Sequence, residues 1–262
     1  MKTWKLTLEY DGTKYRGWQE QPNARTVQGD LRKVVEEYFG GAVDLQGAGR
    51  TDAGVHAIAQ VAHVRAETGT RRSPDQIRRV LNDFLPADVV VTSMAEAPNT
   101  FHARRDAKAR SYVYQISTRK TAFSKKYVWW IKDPLDLAPM SRAAKMLVGR
   151  HDFQCFRAED PSKPGESSIV IIDSAEIDTE EDLVLFHIEA SHFLWRMVRR
   201  IVGVLVKLGL GGISMPDFER LLAGRPDLRL DVAAWTAPAS GLFLEAVRYG
   251  REINSRRPGT AG

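Results

Sequence analysis

Trp4, Leu6, Leu8 and Tyr10 alternate with Lys5, Thr7 and Glu9, a period-two pattern that predicts a strand with one buried face. The Asp11-Gly12-Thr13 turn ends it. The period then changes: Val27, Leu31, Val34, Val35 and Tyr38 recur at helical spacing, and Gly40-Gly41 stops the run. Short strands are expected at residues 43–46 and 59–66. Ser73 fits a helix N-cap with Pro74 in the first helical position; Ile77, Val80, Leu81 and Phe84 form its apolar face, and Pro86 ends it. Val89-Val90-Val91 completes the ferredoxin-like order β-α-β-β-α-β.

The second half repeats this order coarsely. Tyr112, Tyr114 and Ile116 alternate in a strand, a helix is expected over residues 136–148, and strands over 169–177 and 184–190. Helices are expected over 193–208 and 216–223, and a last strand over 242–249. The repeated order predicts an α+β protein of two related α/β halves facing one another, residues 1–106 and 107–250, followed by a mobile tail, residues 251–262. Residues 157–168, with two prolines and a glycine, read as an exposed loop.

Composition narrows the class. The chain has 262 residues, 43% of them apolar, enough for a real core. Its single cysteine, Cys155, allows no internal disulfide and fits a cytoplasmic setting. The start Met1-Lys2-Thr3-Trp4-Lys5 has no apolar secretory region, and the apolar stretch near 201–210 is interrupted by Lys207 and too short to span a bilayer. The six histidines form no zinc-like spacing, so no metal site is expected. The net charge of +5 and a pI near 9.3 favour a polyanionic partner.

Chemistry concentrates in Gly47-Ala48-Gly49-Arg50-Thr51-Asp52-Ala53-Gly54-Val55-His56-Ala57. Asp52 can serve there as nucleophile, base or charge partner, and Arg50 can hold a carboxylate ionised or bind a phosphate. The bland alternative is a turn whose Asp52 caps backbone N–H groups. The run is not a dinucleotide fingerprint, since Asp52 stands where the third glycine belongs, nor a P-loop, since Val55 and His56 replace Lys and Ser/Thr.

Two basic segments lie downstream of it. The helix expected over 193–208 has a core face and an opposite stripe of Arg196, Arg199, Arg200 and Lys207 that fits phosphate contacts or a solvated surface. Residues 101–114 interleave Arg104, Arg105, Lys108 and Arg110 with Phe101, Tyr112 and Tyr114, a mixture suited to stacking bases and holding phosphates of unpaired RNA. A plain amphipathic strand with the tyrosines in the core is the alternative. The loop 10–21 carries Tyr15 and Trp18, either for a ligand or packed for structure.

Taken together, the motifs resemble the TruA family of tRNA pseudouridine synthases. Gly49-Arg50-Thr51-Asp52-Ala53-Gly54-Val55-His56-Ala57 is similar to its signature. Tyr10-Asp11-Gly12-Thr13, Gly17-Trp18-Gln19, Thr26-Val27-Gln28, Phe101-His102-Ala103-Arg104, Arg110-x-Tyr112-x-Tyr114, His151-Asp152-Phe153, Phe193-Leu194-x-x-Met197-Val198-Arg199 and Gly241-Leu242-Phe243-Leu244 follow in family order. The resemblance implies the pseudouridine synthase fold with a central cleft. It also implies isomerisation of tRNA uridines 38, 39 and 40 in the anticodon stem-loop, without cofactor or metal, by a homodimer whose tRNA touches both subunits.

Residue by residue, the resemblance makes Asp52 the catalytic aspartate, attacking the nucleotide or withdrawing a ribose proton. Arg199 is its charge partner. Tyr112 stacks on the target base and receives the C5 proton. Leu242 closes the other side of the pocket, and Arg50 fills the gap left by the flipped base. Arg104, Arg110, Arg196 and Arg200 are the expected RNA contacts. Two departures stand out: Ser167-Ser168-Ile169 lacks the arginine of the family's Arg-Thr-Ile, and Phe243 replaces a common tyrosine. A catalytically silent RNA-binding protein and an aspartate-dependent nucleotide hydrolase are the rival classes. The intact trio Asp52, Tyr112 and Arg199 counts against the first, and the missing phosphate-loop and metal motifs against the second.

Overall fold

Trp4, Leu6, Leu8 and Tyr10 turn inward from β1 (Lys2–Tyr10), each almost fully buried, in the computed structural model of the chain, which describes residues 1–159 and 165–250. Helix α1 (Val27–Phe39) begins where the Thr26 side chain accepts from Gly29 N–H and ends at Gly40, whose φ of 74° is left-handed. The chain continues through β2 (Asp44–Gly47) and β3 (His56–Ala66). In α2 (Pro74–Phe84), Ser73 and Gln76 form a reciprocal capping box with Pro74 at the first turn. With β4 (Val89–Ala97) the first half is complete, and its strands lie in the order β4-β1-β3-β2.

The second half contains β5 (Ala107–Ser117), β6 (Trp129–Trp130), α3 (Leu137–Met146), β7 (Gly149–Asp152), β8 (Ile169–Glu180) and β9 (Leu183–Ala190). It closes with α4 (Met197–Gly209), α5 (Met215–Leu222) and β10 (Leu242–Tyr249). With the short β6 and β7 set aside, its order β10-β5-β9-β8 matches the first half position for position: fourth strand, first, third, second. One ten-stranded sheet thus runs through an α+β protein. The short strands β6 and β7, and the extension of β4 as far as Ala97, are not expected from the pattern.

The join between the halves sits on β3. Residues 62–65 of β3 pair antiparallel with β2, whereas His56 and Ala57 pair parallel with Phe243 and Leu244 of β10. One edge of β3 therefore changes partner along its length, and residues 48–55 leave the sheet there. The main apolar core runs beneath, from Trp4 through Tyr112 and Tyr114 to Leu244, with a small separate cluster of Ala48, Val61 and Ala103. Tyr114 and Ile116 are core residues, fully buried, so the structural alternative holds for both. The mobile tail expected at 251–262, with Arg256-Arg257, and part of the loop expected at 157–168 lie outside the described residues.

Helix α4 departs most from the sequence pattern. The expected helix starts at 193, but the observed one starts at Met197, because Arg196 takes φ 59° and breaks the helical turn before it. Met197 N–H donates to Leu194 O at 3.0 Å instead, closing a turn over residues 194–197. The expected single basic stripe is also divided. Arg199 points to Asp52, Arg200 donates to the Arg157 carbonyl, and Lys207 lies 5.8 Å from the Trp235 ring centre.

Candidate active site

The loop carrying Asp52 is held from below by the segment 15–18. Trp18 N–H donates to Thr51 O at 3.1 Å, and Gly54 N–H to Tyr15 O at 3.2 Å. The approach is so close that a Cβ on Gly17, whose φ is +98°, would stand 2.5 Å from the Thr51 carbonyl oxygen. Trp18 is buried with its ring against Gly47, so its role is structural. The Thr51 and Tyr10 hydroxyls meet at 2.8 Å, and burial pushes the Tyr10 phenol up to about 12. Val55 N–H returns to Asp52 O at 3.1 Å, fixing the turn around the carboxylate.

Two buried histidines of β3 anchor neighbouring loops. His56 Nδ1 accepts from Gly12 N–H at 3.1 Å, and His63 Nδ1 accepts from Ala103 N–H at 3.0 Å. Burial lowers both imidazoles below their ordinary value and favours the neutral form that this acceptor role requires. The His56 ring also stacks on Phe243 at 4.7 Å, a contact that has no use for the hydroxyl of a tyrosine.

Three separate segments converge on Asp52. Arg199, on the first turn of α4, places a guanidinium nitrogen 3.4 Å from the Asp52 carboxylate while its Nε donates to Ala237 O at 2.7 Å. Asp52 remains 25% exposed, enough for a substrate to reach it. Tyr112 of β5 is buried, with its ring edge-on to Phe193 at 5.1 Å. Its phenol is raised well above the ordinary tyrosine range, first by burial and then by Tyr10 and the Asp52 charge. Leu242, at the start of β10, completes the apolar wall.

These residues line one cleft of about 830 Å³, within the range of ligand sites. Arg50, Arg104, Arg110, Arg196, Tyr112, Arg199, Leu242 and Asp52 all border it; Arg200 does not. Arg50 Nε donates to Gln19 Oε1 at 3.1 Å. Arg110 commits its donors to the carbonyls of Ala48, Arg104, Ala107 and Ser191, a clamp that fixes the Asp52 loop to its surroundings. The sequence reading missed Arg16, His192 and Trp195, which also border the cleft. Burial and the nearby Arg110 lower His192 below its ordinary value, so it adds little positive charge. Six arginines and one carboxylate, Asp52, make the cleft strongly electropositive.

What the arrangement can do follows from its parts. A carboxylate fixed by a guanidinium faces a flat aromatic ring and an aliphatic wall, so an uncharged planar ring can be enclosed beside a nucleophile or base. The surrounding arginines suit phosphates of the same ligand. Asp11 and Tyr127 lie beyond this cleft, around His56, and belong to the scaffold.

Comparison with known proteins gives a consistent result. A family profile described as tRNA pseudouridine synthase matches residues 7–106 and 143–250. The chain is 39% identical over 251 residues to a "tRNA pseudouridine synthase A" of Thermoanaerobacter sp. (strain X514), covering 95% of this chain and 100% of that protein. It is 34% identical over 252 residues to a "tRNA pseudouridine synthase A 2" of Bacillus cereus, with the same coverage. Among solved structures, a chain of a Cbf5-Nop10-Gar1 complex is similar with a TM-score of 0.30 and 11% identity, over 77% of this chain and 54% of that one, too distant to carry an argument. No helix among the described residues is long and apolar enough to cross a membrane.

Proposed function

The chain belongs to the tRNA pseudouridine synthase family, and from that premise we propose that it isomerises uridines 38, 39 and 40 of the tRNA anticodon stem-loop, with Asp52 as the reacting carboxylate. The observation that carries the reading is the meeting of Asp52, Arg199, Tyr112 and Leu242 in one arginine-lined cleft, from four segments far apart in sequence. A base inside a stem must leave its stack to be isomerised, and this needs an aromatic platform, an apolar enclosure and anchors for the backbone.

The reaction is an internal transfer, so nothing is gained or lost overall. The C1′–N1 bond breaks, the uracil turns, and C1′ bonds to C5. The proton leaving C5 is balanced by one gained at N1. Asp52 acts either by bonding to the nucleotide or by withdrawing a ribose proton, and Arg199 holds it in place for both. Tyr112 offers its ring to the uracil against Leu242, and its hydroxyl serves in the proton transfer from C5. Arg50 stands where the extruded base leaves space, and Arg104 and Arg196 reach phosphates. Arg110 supports the loop from behind. A homodimer working in the cytoplasm belongs to the same proposal, supported by the family and by the single cysteine.

The test uses an unmodified tRNA transcript labelled with tritium at uridine C5. Wild type is expected to release tritium and leave pseudouridine within the anticodon stem-loop. Asp52→Ala is expected to bind the same tRNA and release none. Release by Asp52→Ala at the wild-type rate rules out the role given to Asp52, and modification confined to another arm of the tRNA rules out the positions.

A further inference from the structure

Two large aromatics besides Tyr112 border the cleft: Phe193, packed edge-on against Tyr112, and Trp195, which neither supports Tyr112 nor enters the proposed chemistry. Trp195 remains 43% exposed. Its presentation is enforced by the backbone. Arg196, the next residue, sits at φ 59° and ψ 7°, a conformation that a Cβ disfavours. The turn is nevertheless fixed on both sides: Trp195 O accepts from Ala158 N–H at 2.9 Å, and Arg196 O accepts from Arg200 N–H at 3.0 Å. The Arg196 guanidinium lies 5.0 Å from the centre of the Trp195 ring, and among the described residues no carboxylate pairs with it.

We infer that Trp195 and Arg196 form a nucleotide subsite beside the reacting pocket: a base flanking the target uridine stacks on the indole, and Arg196 takes its phosphate. The inference rests on the reading of the chain as a tRNA uridine isomerase. Arg196 caps the helix whose first turn carries Arg199, so the subsite adjoins Asp52 without coinciding with it. Extruding the target base deprives its neighbour of a stacking partner, and an exposed indole replaces that partner whatever the neighbour's identity. One face of the ring is engaged by the guanidinium, and the base takes the other. The six arginines of the cleft against one carboxylate select a polyanion as the occupant. A planar guanidinium with several donors suits a phosphate group.

The experiment measures equilibrium binding of an unmodified anticodon stem-loop RNA, together with the single-turnover rate at saturating RNA. Trp195→Ala is expected to raise Kd about fivefold or more, the lower end of base–aromatic stacking, with a saturated rate changed by less than about threefold. Trp195→Phe keeps a stacking ring and is expected to recover most of the affinity. Arg196→Gly removes the Cβ cost of the left-handed turn, so its Tm is expected at or above that of wild type while its salt slope flattens by roughly 0.7. This opposition of stability and affinity separates a ligand contact from a structural role. Two results overturn the subsite: Trp195→Ala binding within about twofold of wild type, or Trp195→Phe as weak as Trp195→Ala. A wild-type enzyme that binds the RNA without isomerising it, while Trp195→Ala weakens binding, leaves the subsite standing and removes the proposed function. A wild type that isomerises while Trp195→Ala binds normally removes the subsite alone.

Discussion

A phenol enclosed by apolar walls beside a carboxylate is a poor base at rest. Burial raises the Tyr112 hydroxyl, and the neighbouring Asp52 charge raises it further, so at neutral pH it holds its proton. It can therefore receive the C5 proton only in a step that passes its own proton on, not as a standing phenolate. The ring and the hydroxyl then have separable roles. Tyr112→Phe is expected to leave the Kd for tRNA within about twofold while lowering the saturated single-turnover rate by roughly 100-fold or more, the scale of lost proton transfer. Rapid-quench measurement of pseudouridine formation reads both quantities. A rate within a few-fold of wild type shows that the ring alone matters and that the proton goes elsewhere. Arg199 divides its donors differently from Arg110. One nitrogen faces Asp52 and another holds Ala237 O, so it ties the carboxylate to the segment that follows α5. A lysine has a single nitrogen and cannot hold both partners in that fixed geometry.

At the scale of elements, that segment lies directly on α4. A Cβ added at Gly203 would stand 1.8 Å from the Trp235 carbonyl oxygen, a backbone atom that cannot swing aside. Replacing glycine by alanine inside a helix gains about 1 kcal/mol of propensity. Overpacking costs about 1–3 kcal/mol, and a backbone contact belongs at the upper end. The cost wins: Gly203→Ala is expected to lose about 1–2 kcal/mol of stability in guanidinium denaturation and to slow turnover, because Ala237 moves with Trp235 and releases Arg199. A variant as stable and as active as wild type removes this account of the contact. How far such elements can be read from sequence depends on how local their signal is. Ser73 and Pro74 announce α2, and the last strand expected over 242–249 has the observed span of β10, Leu242–Tyr249. The α4 start is misplaced because Phe193, Leu194, Met197 and Val198 keep helical spacing through a turn made by the backbone of Arg196, and no glycine marks it. Strand β6 has two residues and β7 four, too few to display a period. In the site, Asp52, Tyr112, Arg199 and Leu242 are visible through family motifs. Trp195 is not, since one exposed ring in an apolar run looks like core. Nor does any local pattern report that His56 and Phe243 pair.

Across the whole molecule, charge is more uneven than the net value of +5 conveys. Many arginines outside the cleft face acids: Arg25 with Asp30, Arg65 with Asp44, Arg78 with Asp75, Arg119 with Asp182. Inside the cleft, six arginines share one carboxylate, and Asp52 is already engaged by Arg199. The field of the molecule is therefore focused on the concave surface where the Asp52 loop lies, and a phosphate backbone is drawn there before any base is recognised. Arg104 isolates this contribution, because its side chain is exposed at the cleft and its loop is held by the backbone bond from Ala103 N–H to His63. Removing one phosphate contact lowers the slope of log K against log salt by roughly 0.7–0.9, and a fourfold rise in salt then shrinks the affinity difference about threefold. Arg104→Ala is accordingly expected to weaken tRNA binding more at about 50 mM salt than at about 200 mM, by about that factor. Arg119→Ala, which removes a cation paired outside the cleft, is expected to run parallel to wild type. Titrations of all three proteins at both salt concentrations decide the matter: if Arg104→Ala also runs parallel, Arg104 touches no phosphate and the RNA enters the cleft along another wall.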